Sequence, residues 1–188
     1  MIRKCFLAIM SLLIVAMAES GQGAVEKPKL VYSAGLGFCS PRGTLGEGYV
    51  SGMAFGGTIG VAISRSILEF RLDVGMDQVR IPGVAFGVPR RSGDLRAYGG
   101  ALQMLIKFVT TGRVFPYVVG GVGPYRIKSD EWDSYSGAMS ISRNRTGITL
   151  GLGNKILWKR FGIFFEYRFI ELGDSLSMSR FWFGFVNR

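Results

Sequence analysis

Leu68-Glu69-Phe70-Arg71-Leu72-Asp73-Val74-Gly75-Met76 is the stretch on which the fold turns. Successive side chains of an extended strand point to opposite faces. Leu68, Phe70, Leu72, Val74 and Met76 therefore share one face, and Glu69, Arg71 and Asp73 the other. A soluble sandwich would turn the apolar face inward and leave the charges in water. The inverted arrangement points the apolar side chains at lipid and the charges into an enclosed polar lumen. The remainder of the chain decides for the second.

The N-terminus has the order of a secretory signal. Arg3 and Lys4 form a basic start, Cys5 to Val15 an apolar run, and Ala16-Met17-Ala18 a small-x-small cleavage pattern. Residues 1–18 are thus expected to be removed, residues 19–28 to form a short polar lead, and residues 29–188 to form one domain. Removal lowers the formal charge from +10 to 21 − 13 = +8. For an exported chain this balance points to an anionic lipid or lipopolysaccharide surface rather than to nucleic acid. Cys39 is then the only cysteine, which leaves no intramolecular disulfide and no cysteine-cluster metal site. The chain beyond the signal has no stretch of 18 apolar residues, so any membrane crossing must use a closed barrel.

Working outward from residues 68–76, seven further segments alternate in the same way. Leu30, Tyr32, Ala34, Leu36 and Phe38 open the series, followed by Tyr49, Met53, Phe55, Ile59, Val61 and Ile63 against mostly small residues. Past the central stretch come Tyr98 to Phe108, then Val114 to Arg126, whose facing is less clear but favours Val118 and Val122 outward. Ile148, Leu150 and Leu152 follow. Phe161, Ile163, Phe165, Tyr167 and Phe169 then oppose Gly162, Phe164, Glu166 and Arg168, and Phe181, Phe183 and Phe185 oppose Arg180, Trp182, Gly184 and Val186.

The connections sort by parity. Those after the second, fourth and sixth segments are a few residues long, whereas residues 77–96 and 127–145 are expected to be long polar connections. Short periplasmic turns and longer extracellular loops are the habit of an outer-membrane barrel, and a sandwich has no reason for them. The expected fold is all-β, an eight-stranded antiparallel up-and-down transmembrane β-barrel. Phe108, Phe115, Trp158 and Phe161 beside the short turns, with Phe38, Tyr49, Tyr98, Tyr125 and Phe169 by the long ones, would form its aromatic girdles.

Pro116-Tyr117-Val118-Val119-Gly120-Gly121-Val122-Gly123, Phe165-Glu166-Tyr167-Arg168 and the aromatic C-terminal strand are similar to small eight-stranded outer-membrane barrels. The resemblance is to the outer-membrane β-barrel domain superfamily that includes the OmpA membrane domain and the OmpX/Ail group. It extends over about residues 29–188 and implies insertion by the barrel-assembly machinery. Such proteins usually end on an aromatic residue. Here the end is Phe185-Val186-Asn187-Arg188, with Asn187 in that place, so recognition would shift to Phe185.

The side chains assigned to the lumen are Glu69, Arg71, Asp73, Gln103, Lys107, Glu166, Arg168 and Arg180. An eight-stranded barrel is only wide enough for side chains to fill, so these charges must pair. A narrow polar path through them is the competing reading. The sequence contains no histidine, on which the outer-membrane barrel enzymes resembling this fold rely, and no serine–lysine or paired-carboxylate spacing replaces it. No catalytic residue, cofactor or metal site is therefore assigned. Asp130, Glu131 and Asp133 lack the glycine spacing of a calcium loop, and Gly120 to Gly123 is not followed by the Gly-Lys-Ser/Thr of a phosphate loop. Arg90, Arg91 and Arg96 are candidates for lipopolysaccharide phosphates. The function expected is non-enzymatic: membrane integrity, or contact with an extracellular partner through residues 77–96 and 127–145. The alternatives are a narrow solute channel and a periplasmic lipocalin-like lipid carrier with its apolar residues inside.

Overall fold

A computed structural model describes residues 28–42, 51–62, 66–81, 91–133, 137–159, 161–173 and 176–187. Its strands are β1 (Lys29–Arg42), β2 (Gly52–Ala62), β3 (Leu68–Ile81), β4 (Arg91–Lys107), β5 (Val114–Asp133), β6 (Gly137–Leu157), β7 (Phe161–Glu171) and β8 (Ser177–Asn187). Each pairs antiparallel with the next, and β8 closes on β1. The register fixes the geometry of closure. From Tyr32 the paired residues run through Ile59, Leu72, Leu102, Val122, Ile148, Glu171 and Ser177 back to Arg42, a shear of 42 − 32 = 10 residues. With ordinary strand spacing this shear tilts the strands by about 40°.

The barrel is inside out. Leu72 and Val74 are 49% and 55% exposed, while Arg71 and Asp73 between and beside them are 4% and 1% exposed. The same inversion holds in β7, where Phe165 and Tyr167 face outward and Glu166 and Arg168 are buried. A lipocalin would need the opposite facing, so that alternative is overturned. Val118 and Val122 face outward from β5, with Tyr117 and Val119 inside.

Bulky inward side chains sit opposite glycines. A Cβ at Gly56 would lie 2.8 Å from the Trp182 ring, and one at Gly147 would lie 2.6 Å from that of Tyr125. Small residues on the inner face are thus the space that the large ones fill.

Two expectations are corrected. Residues 77–96 and 127–145 are not mainly loops: β3 runs on to Ile81, β4 begins at Arg91, and β5 and β6 stay paired to Asp133 and Gly137. Above the membrane both faces of a strand are wet, so the hydrophobic alternation fades while the backbone ladder continues. Phe115 and Tyr125 are buried in the interior rather than placed in a girdle. Of the other girdle candidates, Phe108, Trp158, Phe161, Phe38 and Tyr98 are exposed and Phe169 is half-buried, and Tyr49 lies outside the described residues. The signal at residues 1–18 and the lead through residue 27 also lie outside them.

Candidate functional site: an ionic lumen beneath a projecting sheet

The inner faces of β3, β6, β7 and β8 supply most of the lumen's charge. Among the described residues, four bases (Arg71, Lys155, Arg168 and Arg180) and four acids (Glu69, Asp73, Asp77 and Glu166) are buried there. They form layers. Nearest the short turns, Lys155 Nζ donates to Glu69 Oε1 at 2.5 Å. In the middle, Arg71 donates from Nε to Gln103 Oε1 at 2.7 Å and from Nη2 to both Glu166 oxygens at 2.8 and 2.7 Å. Glu166 also accepts from Tyr117 OH at 2.5 Å and from Arg168 Nε. Arg168 Nη1 lies 2.8 Å from Asp73 Oδ2, and Arg180 donates to Asp77 from Nε at 2.8 Å and from Nη2. The Trp182 ring lies against both guanidiniums, 4.4 Å from Arg168 Cζ and 5.6 Å from Arg180 Cζ.

Above the ionic layers lies an apolar one. Cys39, Ala54, Val79, Leu95, Tyr125, Ile170, Leu172, Leu176 and Met178 are among the buried residues packed together near the β7–β8 connection. The described part of the lumen is thus filled by charged side chains and, above them, by hydrocarbon.

Of the residues assigned to the lumen from sequence, Glu69, Arg71, Asp73, Gln103, Glu166, Arg168 and Arg180 are buried within it, and Lys107 is half-buried at the rim. Asp77, Lys155, Tyr117 and Trp182 belong to the same network and were not assigned. The available signal was periodicity: carrying the even spacing of Glu69, Arg71 and Asp73 past Gly75 reaches Asp77, and carrying that of Thr149, Gly151 and Gly153 reaches Lys155.

The rim at the long-hairpin end carries a second group. Arg96 pairs across the β4–β5 ladder with Lys128, and Tyr98 with Arg126. Arg96 Nη2 is 3.0 Å from Asp94 Oδ2, which Arg80 also approaches, and Arg126 Nε donates to Ser142 Oγ at 3.1 Å. Arg90 lies outside the described residues, and Arg91 opens β4 without a described side chain. Beyond this rim β6 has no described strand on one flank. It begins at Gly137, but β7 reaches only the Ile148↔Glu171 pair, so residues 137–147 have β5 on one side and no β7 on the other.

Solved structures share this architecture. Neisserial surface protein A superposes with a TM-score of 0.62 at 15% identity, covering 86% of this chain and 99% of that one. Ail, the attachment invasion locus protein of Yersinia pestis, superposes with a TM-score of 0.52 at 18% identity, covering 84% and 97%. The fold is that of the small eight-stranded outer-membrane barrels. At these identities the likeness carries the outer-membrane barrel architecture and not a role. No family model and no curated protein matches the chain by sequence.

Proposed function

We propose that this outer-membrane barrel does not conduct, that it sits among lipopolysaccharide through the cations of its outer rim, and that it makes surface contacts through the sheet projecting beyond that rim. The observation that carries the reading is the β5–β6 ladder, which continues to Asp133↔Gly137 while its neighbour β7 stops at Glu171. Eleven residues of β6, from 137 to 147, amount to roughly 35 Å of strand at about 3.3 Å per residue. A barrel serving only as a membrane plug would not need them.

The base of this projection is basic. Arg96, Arg126, Lys128, Arg143 and Arg145 lie near it, whereas Asp130, Glu131 and Asp133 lie towards its tip. Phosphates of lipopolysaccharide fit the base by charge, with arginine able to engage them bidentately. Ail has been solved with a heparin analogue, sucrose octasulfate, and the basic base of this projection would suit a polyanion of that kind. Against the channel alternative stands the apolar layer packed above the ion pairs. The reading is non-enzymatic, in keeping with Glu166 and Asp73 being buried and tied to arginines. During insertion, the assembly machinery would read Phe185 in place of a terminal aromatic.

The test replaces residues 128–142 with a two-residue turn. The variant should remain a heat-modifiable barrel in detergent and in lipopolysaccharide vesicles, yet lose adhesion of expressing cells to a sulfated-glycan surface. The intact protein should show no steady ion-sized openings in planar bilayers. Undiminished adhesion, or stable conductance, would refute the proposal.

A further inference from the structure

The opposite rim carries a second candidate site, independent of the extracellular reading. It is built where the β4–β5 and β6–β7 turns meet. Gly112 adopts φ 102°, a left-handed conformation that favours glycine, and a Cβ there would meet nothing within 4 Å. The turn it permits brings the Arg113 carbonyl to the Leu157 N–H, which donates to it at 2.7 Å. Trp158 N–H in turn donates to Phe161 O at 2.8 Å, and the two rings lie 6.4 Å apart. Between the turns is an open surface pocket of about 740 Å³ lined by Gly112, Arg113, Leu157, Trp158, Lys159 and Phe161.

The lining has a particular chemistry. It offers three large apolar side chains and two cations, and no acid. Arg113 and Lys159 are exposed, and neither has an ion-pair partner among the described residues. The pocket lies at the short-turn end of the barrel, which is the periplasmic end and so borders the inner, phospholipid leaflet. At that depth indole and phenyl rings sit at headgroup level, and lysine and arginine attract anionic lipid.

We propose that this pocket binds the headgroup of an anionic phospholipid, with the phosphate between Arg113 and Lys159 and the start of an acyl chain along Trp158 and Phe161. Arg113 supplies a planar fork for phosphate oxygens and Lys159 a point charge. A zwitterionic lipid would bring its own cation to a site that already has two, so the preference should be for net negative charge.

The test places the full barrel in phosphatidylcholine nanodiscs and titrates in dibrominated phosphatidylglycerol, whose bromines quench a tryptophan that they touch. Quenching should appear at roughly tenfold lower mole fraction than with dibrominated phosphatidylcholine and should vanish in Trp158→Phe. Each of R113Q and K159Q should weaken the preference about threefold, and R113Q/K159Q should abolish it. The single variants keep the test decisive should the double one fail to fold. Equal quenching by the two lipids, quenching retained in Trp158→Phe, or a preference retained in both single variants would overturn the proposal. Loss of the preference in millimolar inorganic phosphate at constant ionic strength would identify a free-phosphate site and overturn it too.

Discussion

Glu166 is the member of the lumen network whose removal should matter most. It accepts from Arg71 at 2.7 and 2.8 Å and from Tyr117 at 2.5 Å, and it also binds Arg168. In Glu166→Leu, Arg168 keeps Asp73 at 2.8 Å, but Arg71 keeps only the amide of Gln103. Four buried bases would then face three acids. Removing one partner of a buried ion pair costs about 3–5 kcal/mol, and the stranded Tyr117 hydroxyl adds about 1–3 kcal/mol. The single variant should therefore lose roughly 4–8 kcal/mol. Glu166→Leu combined with Arg71→Met restores three bases against three acids and replaces the pair by hydrocarbon, which is often near neutral. The double variant should regain at least ~2 kcal/mol over the single one. Urea titration in lipid vesicles measures both, using the gel shift of the closed barrel and the fluorescence of Trp182, whose ring lies 4.4 Å from Arg168. A single variant within ~1 kcal/mol of wild type would show that water screens Arg71, and a double variant no better than the single would show that the two side chains are uncoupled. Either result would refute the sealed ionic lumen.

Three further outcomes follow from facing and burial. Phe165→Arg puts a cation on the lipid face and should cost about 2–4 kcal/mol if residue 165 lies near mid-membrane, seen as a reduced yield of heat-modifiable barrel; Phe70→Arg should do the same. Tyr117→Phe removes one hydrogen bond to a buried carboxylate and should cost about 1.5–3 kcal/mol in the urea titration without altering the fold. Cys39 is 1% exposed and its thiol donates to Met53 O at 3.3 Å, so a maleimide should label it only after unfolding, in step with the gel shift.

What could be read from the sequence was facing, and what could not was extent and partnership. Within the membrane the two faces of a strand meet opposite solvents, so β3 and β7 state their orientation residue by residue, with Leu72 outside and Arg71 inside. Past Gly75 the pattern weakens because Gln78 and Arg80 face an aqueous exterior, and there a strand looks like a loop. Asp77 was lost for that reason, although it is wholly buried and holds Arg180. Lys155 was lost where Asn154 interrupts the outward apolar series of β6. Phe115 and Tyr125 misled in the other direction. An aromatic near a strand end suits a girdle, but an interior that glycines have emptied suits it as well, and composition alone does not separate the two.

Nearest-neighbour pairing does not by itself explain why this barrel closes with a shear of ten. A slip of two residues between any adjacent strands preserves every inward and outward face, so the hydrophobic pattern tolerates a shear of eight or twelve equally well. The ion pairs do not tolerate it. β3 contributes Glu69, Arg71, Asp73 and Asp77, and their partners come from β6, β7 and β8 across the lumen, at sequence separations of 86 residues for Lys155–Glu69, 95 for Arg71–Glu166 and 103 for Arg180–Asp77. A two-residue slip anywhere on the path from β3 to β7 or β8 would move an acid by about 6–7 Å along its strand, enough to leave a buried guanidinium facing a neighbouring guanidinium or hydrocarbon. The lipid-facing side chains thus select a barrel, and the charges inside select which barrel. That division gives the four acids and four bases buried among the described lumen residues a structural task.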